Sequence, residues 1–285
     1  MAIVGLCLII GAGVLVGGVF AIEPSFDLQV ARYFTRQDVK DFLAEAHPFL
    51  DALRFFNFQL TILLLFLSFG AIAAKMLRPS MAMVLPARIS IFVILVFALG
   101  PGLLVNGLLK EFWSRPRPRA LFEFGGSHHF MAWWDPGGTC IKNCSFVSGE
   151  ASSAFAVLAL AALAPSPLRY LSIGLAIAYG ASVSFIRVAV GAHFLSDVLF
   201  AGIFTALVVW LLHSLFWRWK RTTMSEQAGT RMIGGAAQNL TAILAAAIAG
   251  LKVLMRNSTV WKSWKPARPL AAAEVVGPAG SSHRQ

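Results

Sequence analysis

The stretch from Ser184 to Asp197 carries three ionisable residues, Arg187, His193 and Asp197, between long apolar runs. Ionisable side chains inside or at the edge of membrane segments are costly, so they are usually functional. His193 and Asp197 are four residues apart and share one face of a helix. We expect the Asp197 carboxylate to accept the proton of one ring nitrogen, which leaves the other nitrogen free as a nucleophile. The alternative is an Arg187–Asp197 ion pair that only steadies a helix end.

Two further stretches carry groups that could bind an anion. Lys110 and Arg117 are seven residues apart, at the end of an apolar run and in a proline-rich turn that ends at Pro118. Such a basic pair often serves only as an anchor at the membrane interface. Ser148 and Gly149 precede another apolar run, where a hydroxyl and the backbone N–H groups of a helix N-terminus would bind an anion. The alternative for Ser148 is an ordinary N-cap.

Together these stretches predict a site for phosphoryl transfer. The cations Lys110, Arg117 and Arg187 would clamp the phosphate oxygens, and Arg187 would offer a forked set of donors. With the helix N-terminus and the His193–Asp197 pair they form a phosphate cradle that contains a nucleophile. We expect neither a metal ion nor another cofactor, because the cations supply the positive charge.

The elements that must position these residues are membrane helices. Of the 285 residues, 58% are hydrophobic and only 13% are charged, whereas a soluble domain is about half apolar and about a quarter charged. Several apolar runs reach the ~20 residues that cross a bilayer. The sequence therefore predicts an all-α, polytopic membrane helix bundle of about six transmembrane helices. We place them at about 3–22, 54–74, 84–109, 149–164, 168–188 and 194–216, and expect residues 23–53 to lie along the membrane surface.

The basic residues at the helix ends predict the orientation. Lys75, Arg78, Arg169 and Arg218 fall on one side of a six-span arrangement, and the positive-inside rule assigns that side and both termini to the cytoplasm. The loop 110–148 and the turn 188–193 then share the opposite face. In a Gram-negative bacterium this is a multi-pass protein of the inner membrane with a periplasmic site.

The C-terminal part has a different composition. The net charge is +11, and from Arg218 onward ten basic residues face only Glu226 and Glu274. We therefore divide the chain into a six-span domain, residues 1–217, whose site-bearing part is about 84–216, and a basic cytoplasmic tail, residues 218–285. Residues 236–255 of this tail are predicted to form an interfacial helix, with a seventh span as the alternative. Such a tail indicates contact with membrane lipids rather than with nucleic acid.

The combined pattern resembles a known family. Lys-x6-Arg-Pro from Lys110, Ser-Gly at 148–149 and Arg-x5-His-x3-Asp from Arg187 resemble the type 2 phosphatidic acid phosphatase superfamily, over about residues 50–216. By that resemblance His193 attacks phosphorus and becomes phosphohistidine, while Asp197 orients it and balances its charge. The resemblance also implies that phosphate is bound by Lys110, Arg117, Ser148, Gly149 and Arg187.

The sequence departs from this family where the leaving-group acid is expected. The usual Pro-Ser-Gly-His reads Val-Ser-Gly-Glu at 147–150, so Glu150 would have to replace the histidine. Burial would raise the pKa of that carboxyl, whereas nearby cations would lower it. His129 or His128 is the alternative acid.

A second Arg-Pro pair lies inside the family motif. Arg115 and Pro116 offer another register, in which Arg115 shares the phosphate-binding role of Arg117.

The resemblance implies a phosphoric monoester hydrolase whose partner is a lipid phosphate. Lipid A is the favoured substrate, because a wide loop with Trp113, Trp133 and Trp134 could flank a bulky lipid. Phosphatidic acid, phosphatidylglycerol phosphate and undecaprenyl pyrophosphate are alternative substrates. A non-catalytic lipid-phosphate binder and a transporter are alternative functions. The sequence predicts no particular oligomeric state.

The loop ahead of Ser148 contains Cys140 and Cys144. If the loop faces an oxidising compartment, these cysteines could form a small disulfide, and two free thiols are the alternative. A metal pair would need His128 and His129 as partners, which the spacing does not favour.

Overall fold

The computed structural model describes residues 2–36, 41–42 and 47–257. Its regular elements are helices, apart from a two-residue strand pair, β1 (Thr35–Arg36) and β2 (Asp41–Phe42). The helices, in chain order, are α1 (Ala2–Ile22), α2 (Ser25–Tyr33), α3 (Pro48–Leu77), α4 (Ala87–Phe112), α5 (Gly149–Phe155), α6 (Leu158–Leu163), α7 (Arg169–Ala189), α8 (Leu195–Arg218) and α9 (Glu226–Asn257).

Within the described ranges, six helices are long and apolar enough to cross a membrane. They are α1, α3, α4, α7, α8 and α9, which confirms an all-α polytopic bundle. Their outward faces are apolar, with Leu8, Val14 and Phe66 about 70% exposed. Apolar surface of this extent fits a lipid environment, because in water it would drive association.

The predicted helix at 149–164 is not one of these long helices. The structure divides it into α5 and α6, and the whole stretch Gly149–Leu163 is shorter than a full span. The sixth candidate is instead α9, which includes the predicted interfacial stretch 236–255. Length and composition allow α9 to span the membrane, and its interfacial placement stays a prediction.

The expectation that residues 23–53 lie along the membrane surface stays a prediction, but the structure shows that part of this segment packs against the protein. Helix α2 buries Asp27 and Ala31, and Phe42 of β2 is also buried. Helix α3 then begins at Pro48, six residues before the predicted start. The described part of this segment therefore contributes buried side chains to the protein core.

Helix α4 contains a stretch of π-helix from Ala98 to Leu109. Pro101 lies inside it, and a proline there has no N–H for the helix ladder and displaces the preceding turn. Asn106 donates from its side chain to the Pro101 carbonyl at 2.7 Å. The π-helix ends directly before Lys110, so it sets where that lysine lies.

The short helix α5 packs between α7 and α8. The Phe155 ring lies so close to Gly180 of α7 that any side chain at Gly180 would overlap it. This close approach brings the N-terminus of α5 beside the ends of α7 and α8 that carry Arg187 and Asp197.

The long loop between α4 and α5 is braced by a disulfide. Cys140 and Cys144, the pair predicted from the sequence, are joined with their Cα atoms 5.7 Å apart. Two turns of 3-10 helix, Pro118–Ala120 and Phe122–Phe124, shape the first half of the loop.

The described chain forms two compact units, which divide after Ala236. The first unit contains α1 to α8 and every residue of the candidate site, and the second contains the remainder of α9. The predicted boundary of the tail at residue 218 stays a prediction, and its residues 258–285 lie outside the described part.

Candidate functional site

The turn between α7 and α8 places His193. The backbone reverses at Gly191, whose φ of 62° lies in the left-handed region, and a side chain there would overlap the Phe42 ring. The Nδ1 atom of His193 lies 2.7 Å from the Ser145 carbonyl oxygen. Because a carbonyl oxygen only accepts, Nδ1 carries the ring proton and Nε2 keeps its lone pair. Burial lowers the pKa of His193 to about 4, so the ring is neutral at pH 7.

The structure does not show the predicted hydrogen bond between the His193 ring and the Asp197 carboxylate. Its Oδ2 atom is 3.8 Å from Nδ1 of His193, too far for a hydrogen bond. Oδ2 instead accepts from the Ser145 hydroxyl at 2.5 Å and from the Phe194 N–H at 2.9 Å. Asp197 therefore fixes Ser145, and the Ser145 carbonyl in turn orients the histidine ring.

Arg115 is buried at 0% exposure and joins two carboxylates. It donates to Asp197 at 2.5 Å and to Asp27 at 2.8 Å, and its Nε donates to the Met131 carbonyl at 2.9 Å. The guanidinium also lies 4.2 Å from the Phe194 ring centroid. Arg115 does not line the polar cavity beside His193, and its contacts inside the core do not support the expectation that it shares in phosphate binding.

Asp27 is also held by donors. The Ser196 N–H donates to it at 2.9 Å and the Ser196 hydroxyl at 2.5 Å. Burial raises the pKa of Asp27, and the neighbouring Arg115 opposes that shift. We call the group Asp27, Arg115, Ser145, Ser196 and Asp197 the buried ionic network.

A polar cavity of about 330 Å³ lies against His193. The predicted cations Lys110, Arg117 and Arg187 line it together with Glu150, so the structure brings the three sequence stretches together. Arg187 has a buried Nε that makes no hydrogen bond to the described residues, which leaves this donor available to an anion. The remaining lining residues are Asp51, Arg54, Arg119, Asn143, Glu150 and Val190.

The charge of this cavity is dominated by its basic residues. Burial, and then the neighbouring Arg119, lower the pKa of the Arg117 guanidinium. An anion bound in the cavity would relieve both effects, since it would replace lost hydration and offset the repulsion between cations. The arrangement is suited to holding a phosphate group beside a neutral histidine.

Glu150 also lines the cavity, at the first turn of α5. Its carboxylate lies 3.1 Å from Nε of Arg54 and 3.3 Å from a terminal nitrogen of Arg187. The position is suitable for a group that transfers a proton near the phosphate. In the unliganded arrangement, however, the two guanidinium groups stabilise a carboxylate rather than a carboxylic acid.

Other predicted residues lie elsewhere. Ser148 is buried, and its hydroxyl accepts the Ala151 N–H at 3.3 Å, so it is the N-cap of α5. Gly149 lines a neighbouring groove rather than the polar cavity. The His129 ring contacts the Phe122 ring with centroids 4.8 Å apart and planes tilted by 54°, and neither His129 nor His128 lines the cavity. The role of either histidine as a substitute acid is therefore not supported.

The loop tryptophans mainly serve packing. Trp113 stacks on Phe146 with ring centroids 4.9 Å apart, and Trp133 contacts Phe200 at 4.5 Å. The indole N–H of Trp113 donates to the Trp133 carbonyl at 2.5 Å. Trp134 is 42% exposed, and none of the three lines the polar cavity.

The sequence did not single out Asp27, Arg54 and Asn143 as site residues. Arg54 lies one to two turns into α3, where an isolated arginine usually signals only a membrane interface. The sequence connects Arg54 with the site only through its position, at the same end of the predicted bundle as Lys110. Asp27 and Asn143 lie in segments without periodicity, so no pattern could assign their partners.

A larger, mainly apolar groove of about 780 Å³ adjoins the polar cavity. The two share Asp51, Arg54, Lys110 and Glu150 in their walls. The groove runs between α3 and α4, and its apolar lining includes Phe55, Phe58, Leu65, Phe69, Ile94 and Phe97. A ligand with a phosphate in the cavity could therefore place an apolar chain in the groove.

Within the described residues, no group of three or more His, Cys, Asp or Glu side chains could hold a metal ion.

Known proteins are similar to the part of the chain that carries most of the cavity residues. The PAP2 superfamily matches residues 91–221, a range that includes Lys110, Arg117, Glu150 and His193 but neither Asp27 nor Arg54. No solved structure matches the chain.

Curated relatives are similar over different lengths. A lipid A 4'-phosphatase of Francisella tularensis subsp. novicida is 32% identical over 207 residues, which cover 70% of this chain and 90% of that protein. Lipid A 4'-phosphatases of Rhizobium etli and Rhizobium leguminosarum are each 45% identical over 111 residues. Those alignments cover 39% of this chain and 43% and 47% of the two relatives.

The buried ionic network predicts a large loss of stability when Asp27 is removed. Asp27→Ala leaves Arg115 with one carboxylate in the core, which should cost about 3–5 kcal/mol. The apparent melting temperature in detergent should then fall by on the order of 10 °C. Asp51→Ala is the matched control, because its ion pair with Arg54 is largely exposed and such pairs contribute at most about 1 kcal/mol. Equal shifts for the two variants would contradict this role of Asp27.

Proposed function

The chain belongs to the PAP2 superfamily, and on that premise we propose that it is a membrane phosphatase that hydrolyses a phosphate monoester of a lipid. The observation that carries the proposal is a neutral, buried histidine at a cavity lined by Lys110, Arg117 and Arg187. Phosphoryl transfer requires a nucleophile and positive charge around the phosphate oxygens, and this cavity has both.

In the first step, the lone pair on Nε2 of His193 attacks phosphorus, and the bond from phosphorus to the lipid oxygen breaks. Positive charge develops on the ring and is stabilised by the Ser145 carbonyl, which accepts from Nδ1, and by Asp197 nearby. The basic residues of the cavity stabilise the charge on the phosphoryl oxygens. The product of this step is a phosphohistidine and a free lipid alcohol.

Glu150 is the proposed proton donor to the lipid oxygen. A bound phosphate would compete for Arg187 and Arg54, and its negative charge would face the carboxylate, so substrate binding would favour the protonated acid. In the second step, water attacks the phosphohistidine and gives its proton to Glu150. Inorganic phosphate is released and His193 is restored.

The proposed substrate is lipid A. The relatives from Francisella and Rhizobium carry the name lipid A 4'-phosphatase, and the apolar groove beside the cavity can take an acyl chain. The sequence favoured lipid A because the loop tryptophans could contact the lipid. Trp113 and Trp133 instead pack into an aromatic cluster, so the proposal rests on the relatives and the groove. Phosphatidic acid, phosphatidylglycerol phosphate and undecaprenyl pyrophosphate are the substrates to compare.

The proposed location is the bacterial inner membrane, with the site on the periplasmic side. All elements that carry site residues direct them to one end of the bundle, whereas Lys75, Arg78, Arg169 and Arg218 lie at the other helix ends. Cytoplasmic loops are enriched in such residues. The disulfide between Cys140 and Cys144 fits an oxidising compartment on the side of the site.

Purified protein in detergent should release inorganic phosphate from lipid A, and His193→Ala should abolish this release. His129→Ala is the matched control, because His129 is exposed and lies outside the cavity. If His193→Ala kept more than a few per cent of the rate of phosphate release, His193 would be excluded as the nucleophile. If the protein released no phosphate from lipid A or from the three comparison lipids, a lipid-phosphate binder would remain as the function.

The acid role of Glu150 predicts a dependence on the leaving group. Glu150→Gln should slow hydrolysis of the lipid by roughly a hundredfold, the usual range for general acid catalysis. The same change should slow an aryl phosphate much less, because a phenolate needs little protonation to leave. Similar small losses on both substrates would show that Glu150 only orders Arg54 and Arg187.

The orientation can be tested with an impermeant thiol reagent. In a Cys7→Ser background, Ser127→Cys in the loop between α4 and α5 should react in intact spheroplasts. The matched control Ser80→Cys, in the loop between α3 and α4, should react only after lysis. Both positions are exposed, so the reverse pattern would refute the proposed topology.

A further inference from the structure

The disulfide closes a small loop at the edge of the polar cavity. Cys140 and Cys144 are its ends, and Asn143 lies inside it, next to the second cysteine. Asn143 has a φ of 53°, in the left-handed region that asparagine tolerates better than most residues. Its exposed side chain forms part of the cavity wall.

Asn143 binds two of the cations that line the cavity. The side-chain Oδ1 accepts from Nζ of Lys110 at 3.1 Å and from Arg117 at 2.9 Å. The backbone carbonyl of Asn143 accepts from Arg117 twice, at 3.2 Å from Nε and 2.9 Å from a terminal nitrogen. One residue therefore holds both side chains, which come from the end of α4 and from the turn after it.

The chemistry of an amide suits this position. Lys110 and Arg117 repel each other, and both have long side chains that lose conformational freedom when they are fixed. The Asn143 oxygens offset that cost as neutral acceptors, so both cations keep their full charge for an anion. Arg117 retains its other terminal nitrogen and Lys110 its remaining N–H groups for phosphate.

We infer that Asn143 is a positioning residue, held by the Cys140–Cys144 loop, that pre-organises Lys110 and Arg117 to bind the phosphate of the substrate. The inference rests on the proposed phosphatase function for its substrate, but it can be tested with inorganic phosphate alone. Donors that are already ordered bind an anion more tightly, because their side chains lose less conformational entropy on binding.

Asn143→Gly is the most direct test. Glycine adopts the left-handed backbone without strain and keeps the carbonyl that binds Arg117, so only the Oδ1 contacts are lost. The affinity for inorganic phosphate, measured from its concentration-dependent stabilisation of the protein, should fall by on the order of tenfold. KM for the lipid should rise by a similar factor with a smaller change in kcat, while the melting temperature without phosphate stays unchanged.

Lys142→Ala is the matched control in the same loop. Its side chain is exposed and does not line the cavity, so phosphate affinity should not change. An unchanged phosphate affinity in Asn143→Gly, or an equal loss in Lys142→Ala, would overturn the positioning role.

A double-mutant cycle tests the role of the disulfide. Cys140→Ser with Cys144→Ser should weaken phosphate binding in the original protein, and clearly less so in the Asn143→Gly background, because the loop acts partly through that side chain. Fully independent effects would show that the disulfide does not act through Asn143.

The two proposals fail in different ways. Protein that binds phosphate with the expected dependence on Asn143 but releases none from lipids would contradict the phosphatase function alone. Lipid hydrolysis with an unchanged KM in Asn143→Gly would contradict the positioning role alone.

Discussion

Burial of a guanidinium between two carboxylates is the interaction on which the site depends. Arg115 joins Asp27 from the N-terminal segment to Asp197 at the start of α8, and all three side chains are almost fully buried. A buried charge is tolerated only when it is paired and hydrogen-bonded. The network therefore fixes the turn before α8 relative to the long loop. His193 and Ser145 are carried on those two segments, so their alignment follows from it.

Repulsion between cations is the second electrostatic constraint on the site, and it acts in the polar cavity. Its basic residues would repel each other in the absence of an anion, and Glu150 and Asn143 reduce that repulsion in different ways. Glu150 supplies negative charge to Arg54 and Arg187, whereas Asn143 supplies only neutral acceptors to Lys110 and Arg117. A phosphate that displaces the Glu150 carboxylate from Arg54 and Arg187 would leave Lys110 and Arg117 held by Asn143. The cavity therefore keeps an excess of positive charge for an anion, while Glu150 and Asn143 reduce the repulsion between its cations when no anion is bound.

The position of the cavity is suited to a ligand that is polar at one end and apolar at the other. The groove between α3 and α4 opens onto the cavity and is lined by phenylalanine, leucine and isoleucine side chains. Arg54 and Lys110 lie where the two spaces meet. Long basic side chains at such a boundary keep their charge in the polar region while their stems cover apolar surface. In the proposed function, the same residues would bind the phosphate and limit how deeply the lipid enters the groove.

Sequence alone determined the membrane bundle and five of its long helices, and it predicted the histidine and the three cations that the structure places around one polar cavity. These features depend on apolar run length and on residue type at fixed spacing, which a single chain displays directly. Tertiary structure alone decided that Arg115 is a core residue, that Ser145 rather than Asp197 binds the His193 ring, and that Asp27, Arg54 and Asn143 belong to the site. Those roles depend on which distant segments meet, as when Asp27 reaches Ser196 across the fold. The physical reason is that an ionisable residue has the same sequence signal whether its partner is a substrate or a buried countercharge.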